Sequence, residues 1–208
     1  MAEEHKTRRR RANGEESRRK ILDAAVEVAS ERGYEGTSIA TVSARSGLNA
    51  SSIYWHFKDK DELIAAVIER SFGTWLAAVS IPPGDAPLDR VRAMSTQIAK
   101  ALLDSPDFLR LGLMLALERR PEEPSARTMF LKVRDEAFRS IADAIRDLMP
   151  TLDEPSVHLL MTYAMAGVDG MFIAKEIGGD SVDLLRLFDL HALAVFDAAA
   201  HLIAGDLG

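Results

Sequence analysis

The sequence predicts an all-α protein of about nine helices, and three observations predict it. No segment sustains the apolar–polar alternation of a strand. Side chains that cap helix starts recur at regular intervals, each followed by a Gly or Pro stop. Between those signals apolar residues return every three or four positions. The expected order is three short helices, a long connector helix, and five longer helices.

Each element can be justified in turn. Asn13 with Glu16 has capping-box spacing, so the first helix is expected to open there. Ile21, Ala25, Val28 and Ala29 share one face, Gly33 stops the helix, and Tyr34 packs back on it. Thr37 caps a short second helix with Ile39 and Val42 inward, and Gly47 ends it. Leu48 tucks in, and Asn49 caps a third short helix that runs to about Phe57. Asp59 and Glu62 form another box. It opens the connector helix, which passes through Leu63, Val67, Phe72, Trp75 and Val79 to "IPPG" at 81–84. The later helices read as 86–104, 106–120, 125–149, 154–177 and 181–204. Their breaks are "DSP" at 104–106, "RRPEEP" at 119–124, "MPTLDEP" at 149–155 and "IGGD" at 177–180. Pro106 opening a helix and Gly178 closing one follow the usual asymmetry.

Composition bounds the function classes. Apolar residues make up 47% of the chain and charged residues 28%, an ordinary globular balance. There is no cysteine, so disulfides, thiolate chemistry and Cys-ligated metals are excluded. No apolar run reaches the roughly 18 residues of a membrane span, and the polar N-terminus has no apolar leader core. A soluble cytoplasmic protein with no membrane partner is expected. The net charge of −6 hides an asymmetry. Residues 1–70 hold 13 Lys+Arg against 12 Asp+Glu, whereas residues 71–208 hold 13 against 20. Residues 5–20 alone carry eight basic and two acidic side chains, so a polyanion is expected to meet the front end only.

The second and third helices, joined through Gly47, have the layout of a helix-turn-helix. Gly47 supplies a left-handed turn that a Cβ would penalise. Val42, Leu48, Ile53 and Phe57 are spaced to pack inward. Arg45, Ala50, Ser51, Ser52, Tyr54, Trp55 and His56 are left for the exposed side. Small residues at the helix start let its backbone approach base edges. Tyr54 and His56 can donate to phosphate oxygens, and Lys58 and Lys60 add charge at the rim. A three-helix packing unit with surface aromatics is the competing reading.

Residues 33–64, "GYEGTSIATVSARSGLNASSIYWHFKDKDELI", resemble the N-terminal DNA-binding domain of TetR-family transcriptional regulators. The features that match are Gly33, Thr37, Gly47, the Tyr54-x-His56-Phe57 core, and Lys60 followed by an acidic residue and Leu63, within residues 17–63. Ser51 stands where that family most often has Gly, and Asn49 where Ser or Thr is usual, which bears on base preference. The resemblance implies a homodimer on a pseudo-palindromic operator, usually a repressor released by a small ligand. It implies backbone contacts from Thr37, Tyr54, His56 and Lys60. Base readers would come from Arg45, Ala50, Ser51, Ser52 and Trp55, with Arg45 suited to guanine. Ser38 and Asn49 complete the candidate DNA-binding set. The run "RRRR" at 8–11 fits either an arm entering the minor groove or a solvated arm that speeds association. The domains then read as a basic disordered arm at 1–14, a helix-turn-helix domain at 15–60, and a helical ligand-binding and dimerisation domain at 61–208.

Residues 156–177 are apolar nearly all round, and the last helix is broader in apolar face than one neighbour covers. Paired with a second copy, these two helices would form a four-helix bundle and an isologous dimer interface. The body's Met and Phe residues suit an adaptable cavity for an apolar or amphipathic effector. Trp75, Met94, Phe108, Met114, Phe130, Phe138, Met165 and Phe172 are the candidate lining. Arg134, Tyr163 and Asp169 are the candidate orienting groups, although Asp169 is better suited to a salt bridge or cap across the dimer seam. Catalysis is not expected, since no phosphate-binding Gly loop, G-x-S-x-G elbow or H-E-x-x-H is present, and no cofactor or metal is implied. Two alternatives stand beside the regulator: a sequence-tolerant DNA-binding protein, and an apolar-ligand carrier that binds no DNA.

Overall fold

The computed structural model describes residues 2–78, 86–118 and 124–205, with side chains from residue 12 onward. Among them are nine α-helices and no strand. The chain divides into two compact units, each built from two stretches of sequence. The first takes Met1–Phe72 with Asp107–Val133, and the second Gly73–Pro106 with Arg134–Gly208. The division therefore falls elsewhere than at 60/61. A helix from the expected body packs on the N-terminal helices, which apolar periodicity alone does not reveal.

In the first unit, α1 runs Ala2–Gly36 and leaves helical geometry at Gly33, where φ is 67°. Its start differs from the expected Asn13 cap. Residues 2–12 are mostly Glu, Arg, Lys and Ala, all good helix formers, so the helix continues through the stretch expected to be a disordered arm. Ser17 Oγ donates back to the Asn13 carbonyl at 2.9 Å, an intrahelical bond rather than a cap. The side chains of "RRRR" at 8–11 lie outside the described residues. α2 spans Ile39–Ser46 and α3 Ala50–Tyr54. α4, Lys60–Ala78, begins in this unit, α6 spans Asp107–Leu117, and α7, Ser125–Leu148, contributes its first part. Ile21, Leu22, Val42, Ile53, Leu63, Ile68, Leu111 and Phe130 form a fully buried core.

Asp61, in the first turn of α4, ties three distant segments of this unit together. Its carboxylate accepts from the Ser125 amide at 2.5 Å, the Ser125 hydroxyl at 2.6 Å and the Ala126 amide at 3.2 Å, which caps α7. It also accepts from Tyr34 Oη at 3.1 Å. Burial alone would raise the Asp61 pKa, but these donors outweigh it and hold the carboxyl below its ordinary value.

In the second unit, α5 (Pro87–Asp104), the later part of α7, α8 (Glu154–Gly178) and α9 (Leu184–Ala204) pack together, with a 3-10 turn at Gly179–Ser181 between the last two. Asp153 caps α8 through the Ser156 amide at 2.9 Å, and Asp183 caps α9 through the Arg186 amide at 3.1 Å. Arg92 grips Asp189 with two bonds of 2.6 and 2.9 Å. Ala142, Ile145, Met149, Val157, Leu160, Met161, Val195 and Ala199 form one buried cluster. By length and composition α8 and α9 are apolar enough to cross a membrane, at mean hydropathies of 1.4 and 1.5, yet little of either is buried. Leu159, Tyr163, Ile177 and Leu190 stay exposed, Ile177 at 83%. The breaks read at 81–84 and 119–123 lie outside the described residues.

Candidate nucleic-acid interface and apolar cavity

The geometry of the front end is set by short-range polar bonds. Ser38, not Thr37, caps α2: its hydroxyl accepts from the Thr41 amide at 3.1 Å, and Thr41 Oγ1 accepts from the Ser38 amide at 2.9 Å. Thr37 is 1% exposed and donates its hydroxyl to the Gly33 carbonyl at 2.7 Å, which closes the turn after α1. Gly47 ends α2 with φ at 69°, a conformation that costs a side-chain-bearing residue about 1 kcal/mol or more. Ser43 Oγ then donates to the Leu48 carbonyl at 2.7 Å, which fastens the turn. Asn49 caps α3, as expected: its Oδ1 accepts from the Ser52 amide at 2.8 Å and the Ser52 hydroxyl at 2.9 Å.

Those bonds fix which way α3 faces. Ile53 and Phe57 are buried, and the Arg18 guanidinium lies 5.4 Å from the Phe57 ring centre. Ala50, Ser51, Tyr54 and Trp55 are exposed, Trp55 at 70%, with Ser52 and His56 half-buried and Lys58 exposed. Trp55 and His56 meet edge to face at 4.6 Å. Burial, together with the positive charge of Arg18, pushes the His56 pKa below its ordinary value, so the ring is a neutral donor-acceptor near physiological pH. Lys60 is half-buried beneath α1. Its Nζ donates to the Tyr34 carbonyl at 3.3 Å, lies 4.2 Å from the Tyr34 ring centre, and is 3.6 Å from Glu35.

The second unit contains a cavity of about 660 Å³, counting the part open to solvent. α5, α7, α8 and α9 all contribute to its wall, which is built mainly of Ile, Leu, Val, Met and Ala. Ser95 and His191 are its two polar side chains.

Residues 21–67 match the family described as "Bacterial regulatory proteins, tetR family". Over those residues the chain carries the DNA-binding domain of the TetR family of transcriptional regulators. The transcriptional repressor KstR of Rhodococcus jostii is 29% identical over 145 residues, 68% of this chain but only 66% of the repressor, just under two thirds of its length. The transcriptional regulator TtgR of Pseudomonas putida is 28% identical over 192 residues, covering 86% of this chain and 89% of TtgR. In fold, the fatty acid degradation regulator FadR of Bacillus halodurans superposes with a TM-score of 0.71 at 14% identity, over 86% of this chain and 93% of that one.

Set against the TetR frame, several expected roles move. Thr37 is enclosed and committed to Gly33, so its side chain is not presented to a phosphate. Arg45 turns back onto α1 instead of outward. Its guanidinium bonds Glu27 at 2.9 Å and Glu31 at 3.0 and 2.7 Å, and those carboxylates hold its pKa above the ordinary value. Opposite charge lies 14 and 18 residues back, where helical periodicity within α2 gives no hint of it. Ser38 and Asn49 act as caps, each with its side chain spent on backbone.

Of the cavity candidates, Met94 and Met165 are on the wall. Phe108 and Phe130 are instead buried in the first unit, which also holds the half-exposed Met114. Trp75 and Phe172 are buried away from the lining, Phe138 packs beside the α7–α8–α9 cluster, and Tyr163 is half-exposed. Arg134 and Asp169 do not line the wall but pair with each other, one of their two bonds measuring 2.9 Å. Ser95 and His191 were missed as wall groups. A lone Ser and a lone His on amphipathic helices give no local signal of the side they share.

Proposed function

We propose that this regulator is a homodimeric, ligand-responsive repressor that acts in the cytoplasm on a pseudo-palindromic operator. The apolar cavity in the second unit supports the ligand-responsive part: four helices converge on a pocket with an almost wholly apolar wall, for which a DNA-binding protein alone has no use. The effector would be a small apolar or amphipathic molecule. It lowers operator affinity through its unequal affinity for two states of the protein, and a coupling of roughly 1–3 kcal/mol suffices.

Dimerisation through α8 and α9 is supported by their uncovered apolar face, since a second copy would bury Leu159, Tyr163, Ile177 and Leu190. On the DNA, Tyr54 and His56 contact the backbone with Lys58 and Lys60 at the rim. Ala50, Ser51, Ser52 and Trp55 face the bases. Arg45 serves as a strut to α1 rather than as a guanine reader.

Selection from random duplexes by the purified protein, near physiological salt, tests this reading, with Tyr54→Ala as control. An enriched two-fold-symmetric site, lost in the variant, is the expected result. Salt-sensitive retention with no enriched sequence would overturn the operator-specific reading and favour sequence-tolerant binding.

A further inference from the structure

α1 leaves the core of the first unit at the reading surface. The Arg18 guanidinium lies 5.4 Å from the ring centre of the buried Phe57, and one turn earlier Gly14 lies beside the exposed Trp55. A Cβ at Gly14 would stand 3.6 Å from the Trp55 ring, an ordinary contact distance, so the helix passes directly against that ring. The charge of Arg18, after burial, also lowers the pKa of His56 next to it. Toward its start, α1 therefore runs out along the face that carries Trp55 and His56. Beyond Gly14 the backbone stays helical back to Ala2. At 1.5 Å per residue, positions 11 to 8 lie only about 5–9 Å further along the axis. Residues 2–12 hold Lys6, Arg8, Arg9, Arg10 and Arg11 against Glu3 and Glu4, whereas residues 71–208 carry an acidic excess. Positive charge is thus gathered where a duplex seated on α3 continues past Trp55.

We propose that the first turns of α1, residues 2–12, are a second DNA-contacting element: a helical clamp on phosphates that flank the bases α3 meets, which reads no sequence and does not enter the minor groove. An α-helix with its side chains is about 10–12 Å across and the minor groove about 6 Å wide, so the arm cannot enter as a helix. Entry would require unwinding a stretch of good helix formers. Against phosphates the helix is well suited. At about 100° per residue, four successive arginines are spread around most of the axis, and whichever side meets the duplex carries one or two of them. Each such contact releases counterions whatever the sequence. The inference rests on the α3 face being the one that binds DNA.

The test measures affinity, association and dissociation on labelled duplexes of arbitrary sequence, A·T-rich and G·C-rich, between about 50 and 200 mM salt. It uses the full-length protein and two variants. One combines R8Q, R9Q, R10Q and R11Q, which keeps helix formers and removes the charge; the other combines R8K, R9K, R10K and R11K, which keeps both. The Gln variant is expected to dissociate faster, with a slope of log affinity against log salt shallower by about 1–2 per bound protomer. The Lys variant is expected to match wild type on both duplexes, since a phosphate contact needs only the charge. An unchanged slope in the Gln variant would overturn the clamp. So would slower association with unchanged dissociation, the mark of a solvated arm that only steers. A loss shared by the Lys variant and confined to the A·T-rich duplex would overturn it in favour of minor-groove arginines. Tyr54→Ala is expected to weaken binding in every background. If it does not, the α3 face is not the DNA-binding one, and the clamp falls with that reading.

Discussion

The recognition helix and the cavity wall are held in place by opposite means. Around α3, side chains bond to backbone three to five residues away: Thr37 to Gly33, Ser38 with Thr41, Ser43 to Leu48, Asn49 with Ser52. At the cavity, elements far apart in sequence meet through dispersion and burial, and the buried polar link from Ser95 to Phe188 spans 93 residues. Short-range bonds specify direction, which a surface that reads base edges needs. Apolar packing specifies volume and adapts to it, which suits a pocket that fills and empties.

Substitutions should therefore divide by region. The largest effect belongs to the wall. Leu160→Ala removes a side chain that is 1% exposed and borders the cavity, and is expected to cost about 3 kcal/mol in urea unfolding. Hydrogen exchange in α2 and α3 should stay near wild type below the transition. Loss of protection there first would break the contrast.

Next comes Gly47→Ala, whose Cβ meets nothing within 4 Å, so its cost of about 1–2 kcal/mol is conformational. Operator affinity should fall with it, because the turn sets the heading of α3. Gly47→Asn, more tolerant of positive φ, is expected to recover part of both losses.

Asn49→Ala removes the α3 cap and should cost about 1 kcal/mol of stability. Filter binding should show a larger proportional loss in operator affinity than urea unfolding shows in stability, since α3 frays at its reading end. Equal losses would mean that the cap supports the fold and not the reading surface.

The smallest effect near neutral pH is expected for Asp61→Asn, which keeps one acceptor for the α7 amides. Its signature is in acid. The folded Asp61 pKa is lowered, so the carboxylate's contribution is complete above its unfolded value and is lost as pH falls through the folded one. Wild type should lose stability on that acid limb more steeply than the variant does. Parallel limbs would remove Asp61 as a tie between α4 and α7.

The same contrast governs what was legible in the sequence. Gly33, Gly47 and the Asn49 cap could be read because their causes lie within a turn of the residue. The shift of the α2 cap from Thr37 to Ser38 is an error of one position between two hydroxyl residues, decided by a bond from Thr37 back to Gly33. Arg45 pairs with Glu27 and Glu31 across a helix pair, which no spacing within α2 signals. Phe108 and Phe130 were assigned to a cavity they do not enter, because α6 and the start of α7 belong to the first unit. An apolar period shows that a helix has an inner face, but not which neighbour that face meets.

The interleaving of the two units has a consequence for biosynthesis. Synthesis is vectorial, and the first 72 residues leave the ribosome without Phe130, Leu111 or the α7 end that Asp61 caps. The stretch 73–106 follows, and its own partners begin only at 134. The nascent recognition domain must therefore wait, with part of its apolar surface uncovered, until some 60 further residues have been translated, about 3–12 seconds at ordinary elongation rates. That interval makes the half-made head, rather than the finished protein, the natural client of a chaperone.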